Sequence, residues 1–338
     1  MIVEMVTSAS QEEVDSVVER ARSLGMNVQL NVGTDKTVVA LLGSTTGQLS
    51  TDTFAVLPGV ASVTRIMKPY KLASREFKAK DSTVSVDGIK IGGKRIVIMA
   101  GPCAVENEEQ IMETAKMVKE SGASILRGGA FKPRTSPFSF QGLEEAGLEL
   151  LAKVRERFNL PVITEVVDAH DISRISKSAD ILQVGSRNMQ NFALLTNVGK
   201  SKCPVVLKRG YSCTITEWLT AADYLLAGGN NKVILCERGI RTFEDSTRFS
   251  MDIAAIPVIK RFSHLPIIVD PSHAAGHYSL VPAIAKAAIA AGADGLLIEV
   301  HPNPKEALVD GLQSLTPSDF ARLMGELRLI AESVGRYI

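Results

Sequence analysis

A loop rich in cations, residues 127–142, carries the side chains best suited to bind an anion. Arg127, Lys132 and Arg134 fall within eight residues of one another, among glycines, prolines and hydroxyl side chains. Guanidinium groups bind phosphate and carboxylate through paired hydrogen bonds, and lysine adds a compact charge. Pro133 stiffens the backbone, and the phenylalanines of the loop can form a dry floor on which charges act more strongly. The pattern favours a small polyanion as ligand, and the alternative is a basic surface loop.

A second group of residues has the chemistry of a metal site. Cys103, His273, Glu299 and Asp310 would offer a thiolate, an imidazole and two carboxylates to a divalent transition metal such as Mn, Fe, Co or Zn. Such a metal would polarise a carbonyl oxygen, which indicates addition to an aldehyde. The four residues are far apart in sequence, so their spacing gives no direct support. The alternatives are a small buried cysteine and a core or helix-capping histidine.

The elements that must position these residues form a repeating pattern of buried strands and amphipathic helices. Helices are predicted at 109–121, 143–158, 215–227 and 280–291. Continuous apolar strands that alternate with helices are typical of the α/β class and of a (β/α)₈ TIM barrel. The eight predicted strands cover residues 96–100, 124–126, 162–164, 181–184, 205–207, 233–235, 267–269 and 295–298.

A polar or reactive residue follows every predicted strand. In a barrel the carboxyl ends of all strands meet at one rim, where active sites lie, so we expect these residues to share one site. The cations at the rim repel one another unless anions lie between them, and two phosphates plus one carboxylate would fit. The alternative is that rim carboxylates neutralise one or two of the cations. The predicted cations are Arg127, Lys132, Arg134, Arg187, Lys208 and Arg238.

The first part of the chain, residues 1–67, is predicted to be a small ferredoxin-like α+β domain of order βαββαβ. Its strands are expected at 2–6, 28–32, 37–42 and 60–66, with helices at 11–24 and 51–57. Ser10 and Glu13 form a capping box at the start of the first helix. No histidine or cysteine lies in this region, so we expect it to serve association or the sensing of an effector, or to be a structural appendage.

Residues 68–82 are charged and contain Pro69, which is typical of a linker. The barrel domain is then expected to cover 83–338. It begins with a predicted β-hairpin at 83–91, because an Asp87-Gly88 turn separates two alternating segments. This hairpin is in a position to plug the lower end of the barrel.

The composition excludes several classes of function. The 338 residues carry a net charge of only +1, so we expect no general nucleic-acid binding. Four cysteines without a CxxC pair favour reduced thiols and a cytoplasmic location. The first residues do not have the pattern of a signal peptide, and no apolar run is long enough to span a membrane.

Several motifs in the second part of the chain together resemble one family. They are Gly-Pro-Cys103, Leu-Arg127-Gly-Gly-Ala-Phe-Lys-Pro-Arg-Thr-Ser-Pro, Val-Gly-Ser-Arg187-Asn, Leu-Lys208-Arg-Gly, Cys-Glu-Arg238-Gly-Ile-Arg-Thr-Phe, Val-Asp-Pro-Ser-His273 and Glu299-Val-His301-Pro. From about residue 96 onward the chain resembles the type I 3-deoxy-D-arabino-heptulosonate-7-phosphate synthases. The small first domain is similar to the ferredoxin-like regulatory domain of one subgroup.

The resemblance implies condensation of phosphoenolpyruvate with erythrose 4-phosphate, the first step of the shikimate pathway. We add two hypotheses: Lys132 is the candidate proton donor to the aldehyde oxygen, and Glu165 is placed to stabilise positive charge developing at C2. The family's metal is expected to be Mn²⁺ first, with Fe²⁺, Co²⁺ or Zn²⁺ as alternatives, held by Cys103, His273, Glu299 and Asp310. The substrate-binding residues implied by the motifs are Arg127, Lys132, Arg134, Thr135, Ser186, Arg187, Lys208 and Arg238.

The subgroup also implies a homotetramer inhibited by an aromatic amino acid, tyrosine or phenylalanine, although no residue of the small domain identifies the effector. A rival reading is the sister enzyme that uses arabinose 5-phosphate, 3-deoxy-D-manno-octulosonate-8-phosphate synthase. Its equivalent loop resembles Lys-Ala-Asn-Arg-Ser, whereas Pro133 makes the loop here stiffer and favours the shorter aldehyde. A rival of another class is a phosphosugar- or amino-acid-binding protein without activity, but the complete set of metal-ligand and cation residues speaks against it.

Overall fold

The chain consists of two compact units in a computed structural model that describes residues 1–33, 36–43, 46, 49–65, 69–134 and 136–338. One unit contains Met1–Lys80 with Phe262–His264, and the other contains Asp81–Arg261 with Leu265–Ile338. Thr135, a predicted substrate residue, lies outside the described residues, as do Ile66 and Met67 at the predicted end of the first domain and Lys68 at the start of the predicted linker.

The first unit has the predicted ferredoxin-like arrangement. Its four-stranded antiparallel sheet has the order β2-β3-β1-β4, with Val3 of β1 opposite Val39 of β3 and Val63 of β4. The capping box is confirmed, since Ser10 Oγ accepts from the Glu13 amide and the Glu13 carboxylate accepts from the Ser10 amide. The elements are β1 Ile2–Met5, α1 Gln11–Ser23, β2 Asn27–Val32, β3 Thr37–Leu42, α2 Asp52–Ala55 and β4 Val60–Thr64.

The second unit begins with the predicted hairpin, β5 Val84–Val86 and β6 Ile89–Ile91. Asp87 and Gly88 both have positive φ, 45° and 79°, as the Asp-Gly pair of a tight hairpin turn requires. The apolar side chains of both hairpin strands are buried in one cluster with Val97 and Ile181, which begin strands of the barrel. The hairpin therefore closes the amino-terminal end of the barrel, as predicted.

The main sheet is a closed, all-parallel barrel with the order β10-β11-β12-β13-β14-β7-β8-β9. All eight strands were predicted to within a few residues. Nearly every strand residue is buried, which explains why the strands are continuous apolar runs in the sequence. The strands are β7 Val97–Gly101, β8 Ile125–Arg127, β9 Val162–Val166, β10 Ile181–Val184, β11 Val205–Lys208, β12 Val233–Glu237, β13 Ile267–Val269 and β14 Gly295–Glu299.

Helices cover the outside of the barrel through an apolar face, and α7 (Ile215–Ala227) is an example. In α7, Trp218 is fully buried and its indole donates to the Leu207 carbonyl of β11, while Tyr224 on the same helix is 40% exposed. No helix among the described residues is long and apolar enough to cross a membrane. The helices are α3 Glu108–Glu120, α4 Glu144–Phe158, α5 Ile172–Ser178, α6 Phe192–Lys200, α7 Ile215–Ala227, α8 Ala255–Phe262, α9 Pro271–Ala275, α10 Val281–Ala290 and α11 Pro317–Ser333.

Trp218→Ala should destabilise the barrel far more than Tyr224→Ala on the same helix. Removing a fully buried aromatic side chain costs roughly 3–5 kcal/mol, whereas Tyr224 stacks on Phe192 at a partly exposed position. Thermal unfolding followed by circular dichroism would compare them, because Trp218 is the sole tryptophan and its loss removes the fluorescence signal. Equal effects of the two substitutions would contradict this assignment of the core.

Candidate active site

The carboxyl ends of the barrel strands surround a cleft of about 250 Å³. Most of the residues predicted from the rim pattern line it, and cations outnumber carboxylates among them. Gln183, Tyr211 and Arg248 also line the cleft but were not predicted as site residues. The predicted lining residues are Arg127, Lys132, Arg134, Glu165, Ser186, Arg187, Lys208, Arg238, His273 and Asp310.

At one end of the cleft, the four residues predicted as metal ligands come together. One ligand atom from each of Cys103, His273, Glu299 and Asp310 lies within 4.8 Å of all the others. Cys103 Sγ is 3.0 Å from Asp310 Oδ2, and His273 Nε2 is 3.4 Å from Glu299 Oε1 and 3.8 Å from Asp310 Oδ2. Residues far apart in sequence therefore form the compact donor set that the sequence could only suggest.

Each of the four comes from the end of a strand or from the segment that follows it. Glu299 ends β14, Cys103 follows β7, and His273 lies in α9 directly after β13. Asp310 has a left-handed backbone, with φ 54° and ψ 29°. Asp tolerates this conformation better than most residues, and backbone strain held in place at a cleft is common at functional sites.

The imidazole of His273 is fixed by Asp270, the residue that caps α9. The Asp270 carboxylate accepts from the His273 amide at 2.9 Å and contacts Nδ1 at 2.7 Å. Burial lowers the pKa of His273 to about 4, so the ring is neutral at pH 7. A neutral imidazole with Nδ1 bonded to a carboxylate turns Nε2 toward the cluster, as in many metal-bound histidines.

Cys103 lies between Lys132 and Asp310. Lys132 Nζ is 2.7 Å from the sulfur, and Arg127 Nη2 is 3.8 Å from it. Burial, and next the charge of Glu299, raise the pKa of the Cys103 thiol, whereas coordination to a metal deprotonates a thiol. One sulfur, one nitrogen and two carboxylate donors, all clustered and mostly buried, fit a divalent transition metal.

The other end of the cleft is built from cations. Arg238 is only 3% exposed, and its Nη1 has no hydrogen-bond partner among the described residues. Its Cζ lies 3.9 Å from the centre of the Phe249 ring and 4.9 Å from that of Tyr211. Burial lowers the pKa of Arg238. A buried guanidinium with an unused donor is a site for an anion, because desolvation is compensated only when a partner binds.

Further cations face the same space. Arg187 lies over the Tyr211 ring at 5.7 Å, and Arg134 Nη1 also has no hydrogen-bond partner among the described residues. Ser186 and Arg187 lie together in a 3₁₀ turn directly after β10. This clustering supports the prediction that more than one anionic group binds in the cleft.

At least three of the predicted cations are paired with carboxylates among the described residues. Arg127 forms an ion pair with Glu299, Lys208 forms one with Asp270, and Lys132 Nζ lies 3.8 Å from Asp310 Oδ2. The alternative weighed from the sequence was that rim carboxylates neutralise one or two cations, and the structure pairs more than that. The neighbouring Arg209 does not line the cleft, since it bonds Glu237 and Asp252, each at 2.8 Å.

Glu165 is, with Asp310, one of the two carboxylates that line the cleft among the described residues. Its Oε2 accepts from Gln183 Nε2 at 3.2 Å. A Cβ added at Gly185 would lie 2.0 Å from Glu165 Oε1, so a larger residue there would displace this carboxylate from its present position.

Several residues around the site were missed by reasoning from sequence. Asp270 belongs to the Asp-Pro-Ser-His273 motif. Its position directly before a helix that carries a histidine could have indicated a capping residue that also bonds the imidazole. Arg248 follows β12 in a long loop with no pattern to distinguish it, and Gln313 is neutral and buried. Only the folded geometry shows that both contact the predicted metal ligands.

Comparison with known proteins assigns each of the two units to a known family of domains. Residues 76–333 match the model of the DAHP synthetase I family, and residues 1–68 match that of the DAHP synthase ferredoxin-like domain. These matches confirm the resemblance drawn from the motifs.

Two curated relatives illustrate the range of similarity. Phospho-2-dehydro-3-deoxyheptonate aldolase of Thermotoga maritima is 46% identical over 335 residues, which is 99% of each chain. A 2-dehydro-3-deoxyphosphooctonate aldolase of Geobacter metallireducens is 32% identical over 267 residues, which is 73% of this chain and 97% of the relative. The first relative matches both units, whereas the second matches about three quarters of the chain.

Two solved structures from Thermotoga maritima are also similar. The crystal structure of phospho-2-dehydro-3-deoxyheptonate aldolase (DAHP synthase) has a TM-score of 0.79 and covers 99% of this chain and 98% of its own, at 46% identity. The truncated form of 3-deoxy-D-arabino-heptulosonate 7-phosphate synthase has a TM-score of 0.75 and covers 80% of this chain and 99% of its own, at 45% identity. The chain is therefore an enzyme that belongs to the DAHP synthetase I family.

Proposed function

We propose that this enzyme joins phosphoenolpyruvate to erythrose 4-phosphate, giving 3-deoxy-D-arabino-heptulosonate 7-phosphate and inorganic phosphate in the shikimate pathway. The observation that carries the proposal is the cleft itself, in which a sulfur, nitrogen and carboxylate donor set adjoins a cluster of buried cations. One end suits an aldehyde oxygen, and the other suits a phosphate and a carboxylate. The DAHP synthase relatives support this pairing.

In the reaction, C3 of phosphoenolpyruvate forms a bond to the aldehyde carbon of erythrose 4-phosphate. The aldehyde oxygen takes a proton, water adds at C2, and phosphate leaves with cleavage of its bond to C2. We assign phosphoenolpyruvate to Arg187, Lys208 and Arg238, with Arg127 and Lys132 assisting. The unused donor of Arg238 supports this, because a phosphate there would satisfy a buried guanidinium.

We assign the phosphate of erythrose 4-phosphate to Arg134 and Thr135, and place Ser186 among the substrate-binding residues. Arg134 lines the cleft and has an unused buried donor, which supports the assignment. Thr135 lies outside the described residues, so its role is carried by the Lys-Pro-Arg-Thr motif alone.

A divalent metal, Mn²⁺ by preference and Fe²⁺, Co²⁺ or Zn²⁺ otherwise, would be held by Cys103, His273, Glu299 and Asp310 and would polarise the aldehyde oxygen. Asp270 keeps the imidazole of His273 oriented for this role. Gln313 and Arg127 bond the Glu299 carboxylate and thereby restrict its rotation.

Lys132 is proposed as the proton donor to the aldehyde oxygen. Burial works against its charged form, but Cys103 and then Glu299 outweigh this effect and raise the pKa of Lys132, so the ammonium keeps its proton at neutral pH. Its Nζ lies beside Cys103, close to where the aldehyde oxygen would sit. Glu165 is proposed to stabilise the positive charge that develops at C2 as water adds.

We also propose that the small unit senses tyrosine or phenylalanine and that the enzyme is a feedback-inhibited homotetramer. The match of residues 1–68 to the DAHP synthase ferredoxin-like domain supports an effector site in this unit.

The arabinose 5-phosphate reaction is the weaker candidate. Relatives named 2-dehydro-3-deoxyphosphooctonate aldolase match at 29–32% identity over 71–73% of the chain, against 46% over 99% for the Thermotoga maritima relative. Pro133 and Arg134 line the cleft, and a rigid, bulky pair at this point of the loop would shorten the sugar pocket and favour the four-carbon substrate.

Chelation with EDTA should abolish condensation, and Mn²⁺ should restore it. Cys103→Ser should lose bound metal on dialysis, because a hydroxyl replaces the soft thiolate donor, and its activity should fall at least about 100-fold. Cys203→Ser is the matched control, since this half-buried thiol lies beside Asp180, away from the cleft. Full activity after thorough removal of metal would show that the four residues have a structural role and do not hold a catalytic metal.

Glu165→Gln should lower kcat by roughly 10²–10⁴-fold, the usual range for a lost acid–base or charge-stabilising group, with little change in KM for either substrate. Asp168→Asn is the control, because this exposed carboxylate follows the same strand and its hydrogen bonds among the described residues are to His170. Steady-state kinetics with both substrates would decide. A Glu165→Gln enzyme with normal turnover would refute the assignment.

A chain that begins at Asp81, where the second unit begins, should condense the two substrates but lose inhibition by tyrosine or phenylalanine. Initial rates of the full and shortened chains, each with and without the amino acid, would measure this. Circular dichroism would check that the shortened chain is folded. Inhibition that persists in the shortened chain would place the effector site in the barrel instead.

A further inference from the structure

The two carboxylates of the metal-ligand cluster each turn one oxygen inward and one outward. Asp310 Oδ2 lies 3.0 Å from Cys103 Sγ, while Oδ1 accepts from Arg248 Nη1 at 3.1 Å. Glu299 Oε1 lies 3.4 Å from His273 Nε2, while Oε2 accepts from Gln313 Nε2 at 2.6 Å. Arg127 also bonds Glu299 Oε1, and the outward oxygens are the ones bonded by Arg248 and Gln313.

Arg248 and Gln313 are also bonded to each other, since Arg248 Nη1 donates to Gln313 Oε1 at 2.7 Å. The resulting bridge runs from Asp310 through Arg248 and Gln313 to Glu299. Gln313 is only 2% exposed, and both ends of its amide take part. Its position in the turn Gly311–Gln313, directly after Asp310, keeps the bridge short.

The backbone that carries Arg248 is fixed to the helix that carries His273. The amides of Arg248 and Phe249 donate to the carbonyls of Ala275 and Ala274 in α9, at 3.3 and 2.9 Å. A Cβ added at Gly276 would lie 2.5 Å from Arg248 Cβ, so glycine permits this close approach. Arg248 therefore reaches the carboxylates from a defined position.

We propose that Arg248, acting through Gln313, is a positioning residue that holds Glu299 and Asp310 in the orientation that a divalent metal requires. The inference rests on the metal site of the proposed function and deepens it. An exposed ion pair alone would contribute little, and the Arg248 side chain is 40% exposed. The buried amide of Gln313 extends its effect to Glu299, and partners of this kind typically change metal affinity by 10–100-fold.

The test measures Mn²⁺ binding directly, by the electron paramagnetic resonance signal of the free ion in titrations of the metal-stripped full chain. Arg248→Met and Gln313→Leu keep side-chain size but remove the hydrogen bonds. Each should raise the Mn²⁺ dissociation constant about 10–100-fold. The double variant should be no weaker than the weaker single variant, because the two residues act as one unit.

Arg241→Met is the matched control, because Arg241 is an exposed arginine on the same loop that touches neither carboxylate. Its Mn²⁺ affinity should equal that of the parent chain. Circular dichroism of the metal-stripped variants would verify that their folds match. Gln313 is buried, so Arg248→Met, at a partly exposed position, keeps the test decisive if Gln313→Leu folds poorly.

Because Arg248 also lines the cleft, it has a rival role as a substrate cation. Unchanged Mn²⁺ affinity in Arg248→Met, together with a raised KM for either phosphorylated substrate, would overturn the proposal and leave the metal site intact. A parent chain that binds no Mn²⁺ at all would overturn this inference and the metal site of the proposed function together.

Discussion

Two buried carboxylates, Asp270 and Glu299, connect the halves of the site. Asp270 bonds Lys208 of the anion-binding half and the imidazole of His273, and Glu299 bonds Arg127 and contacts the same imidazole. A buried charge is tolerated only when it is paired. Neither half of the cleft can therefore be built without the other, and the strand ends that carry them must meet at fixed distances. A closed barrel supplies those distances, because its hydrogen-bonded strands cannot slide independently.

Pairing also decides which cations remain available for substrate. Arg127 and Lys208 have their charge largely balanced within the protein, so they can orient a ligand without a large mutual repulsion. Arg238 instead lies against the stacked rings of Phe249 and Tyr211, and this contact with aromatic rings gives it only a weak interaction. Its unused donor is then available to a phosphate in the cleft. Buried and water-poor surroundings increase the attraction between the two.

The sequence predicted the barrel, the hairpin and the ferredoxin-like unit because each depends on local patterns: apolar runs, an Asp-Gly turn, and the Ser10 capping box. It also predicted which residues reach the rim, because the carboxyl ends of all strands lie on the same face of a barrel. The pairings could not be predicted. Arg127 and Glu299 are 172 residues apart in sequence, and Lys208 and Asp270 are 62 apart. Without the register of the barrel strands, any carboxylate at the rim could equally have been the partner of either cation. Arg248 and Gln313 had no local pattern at all.

The two groups of proposed substrate-binding residues are held by different parts of the fold, so one group can change more easily than the other. The proposed phosphoenolpyruvate residues Arg187, Lys208 and Arg238 lie at or directly after strand ends, where the closed sheet fixes them. The proposed aldehyde residues lie in the loop after β8, which no strand constrains. Substitutions at Pro133 and Arg134 of that loop can change the length of the sugar pocket without disturbing the ion pairs of Arg127 and Lys208. The proposed phosphoenolpyruvate residues can therefore stay in place while the loop after β8 alters the proposed aldehyde pocket.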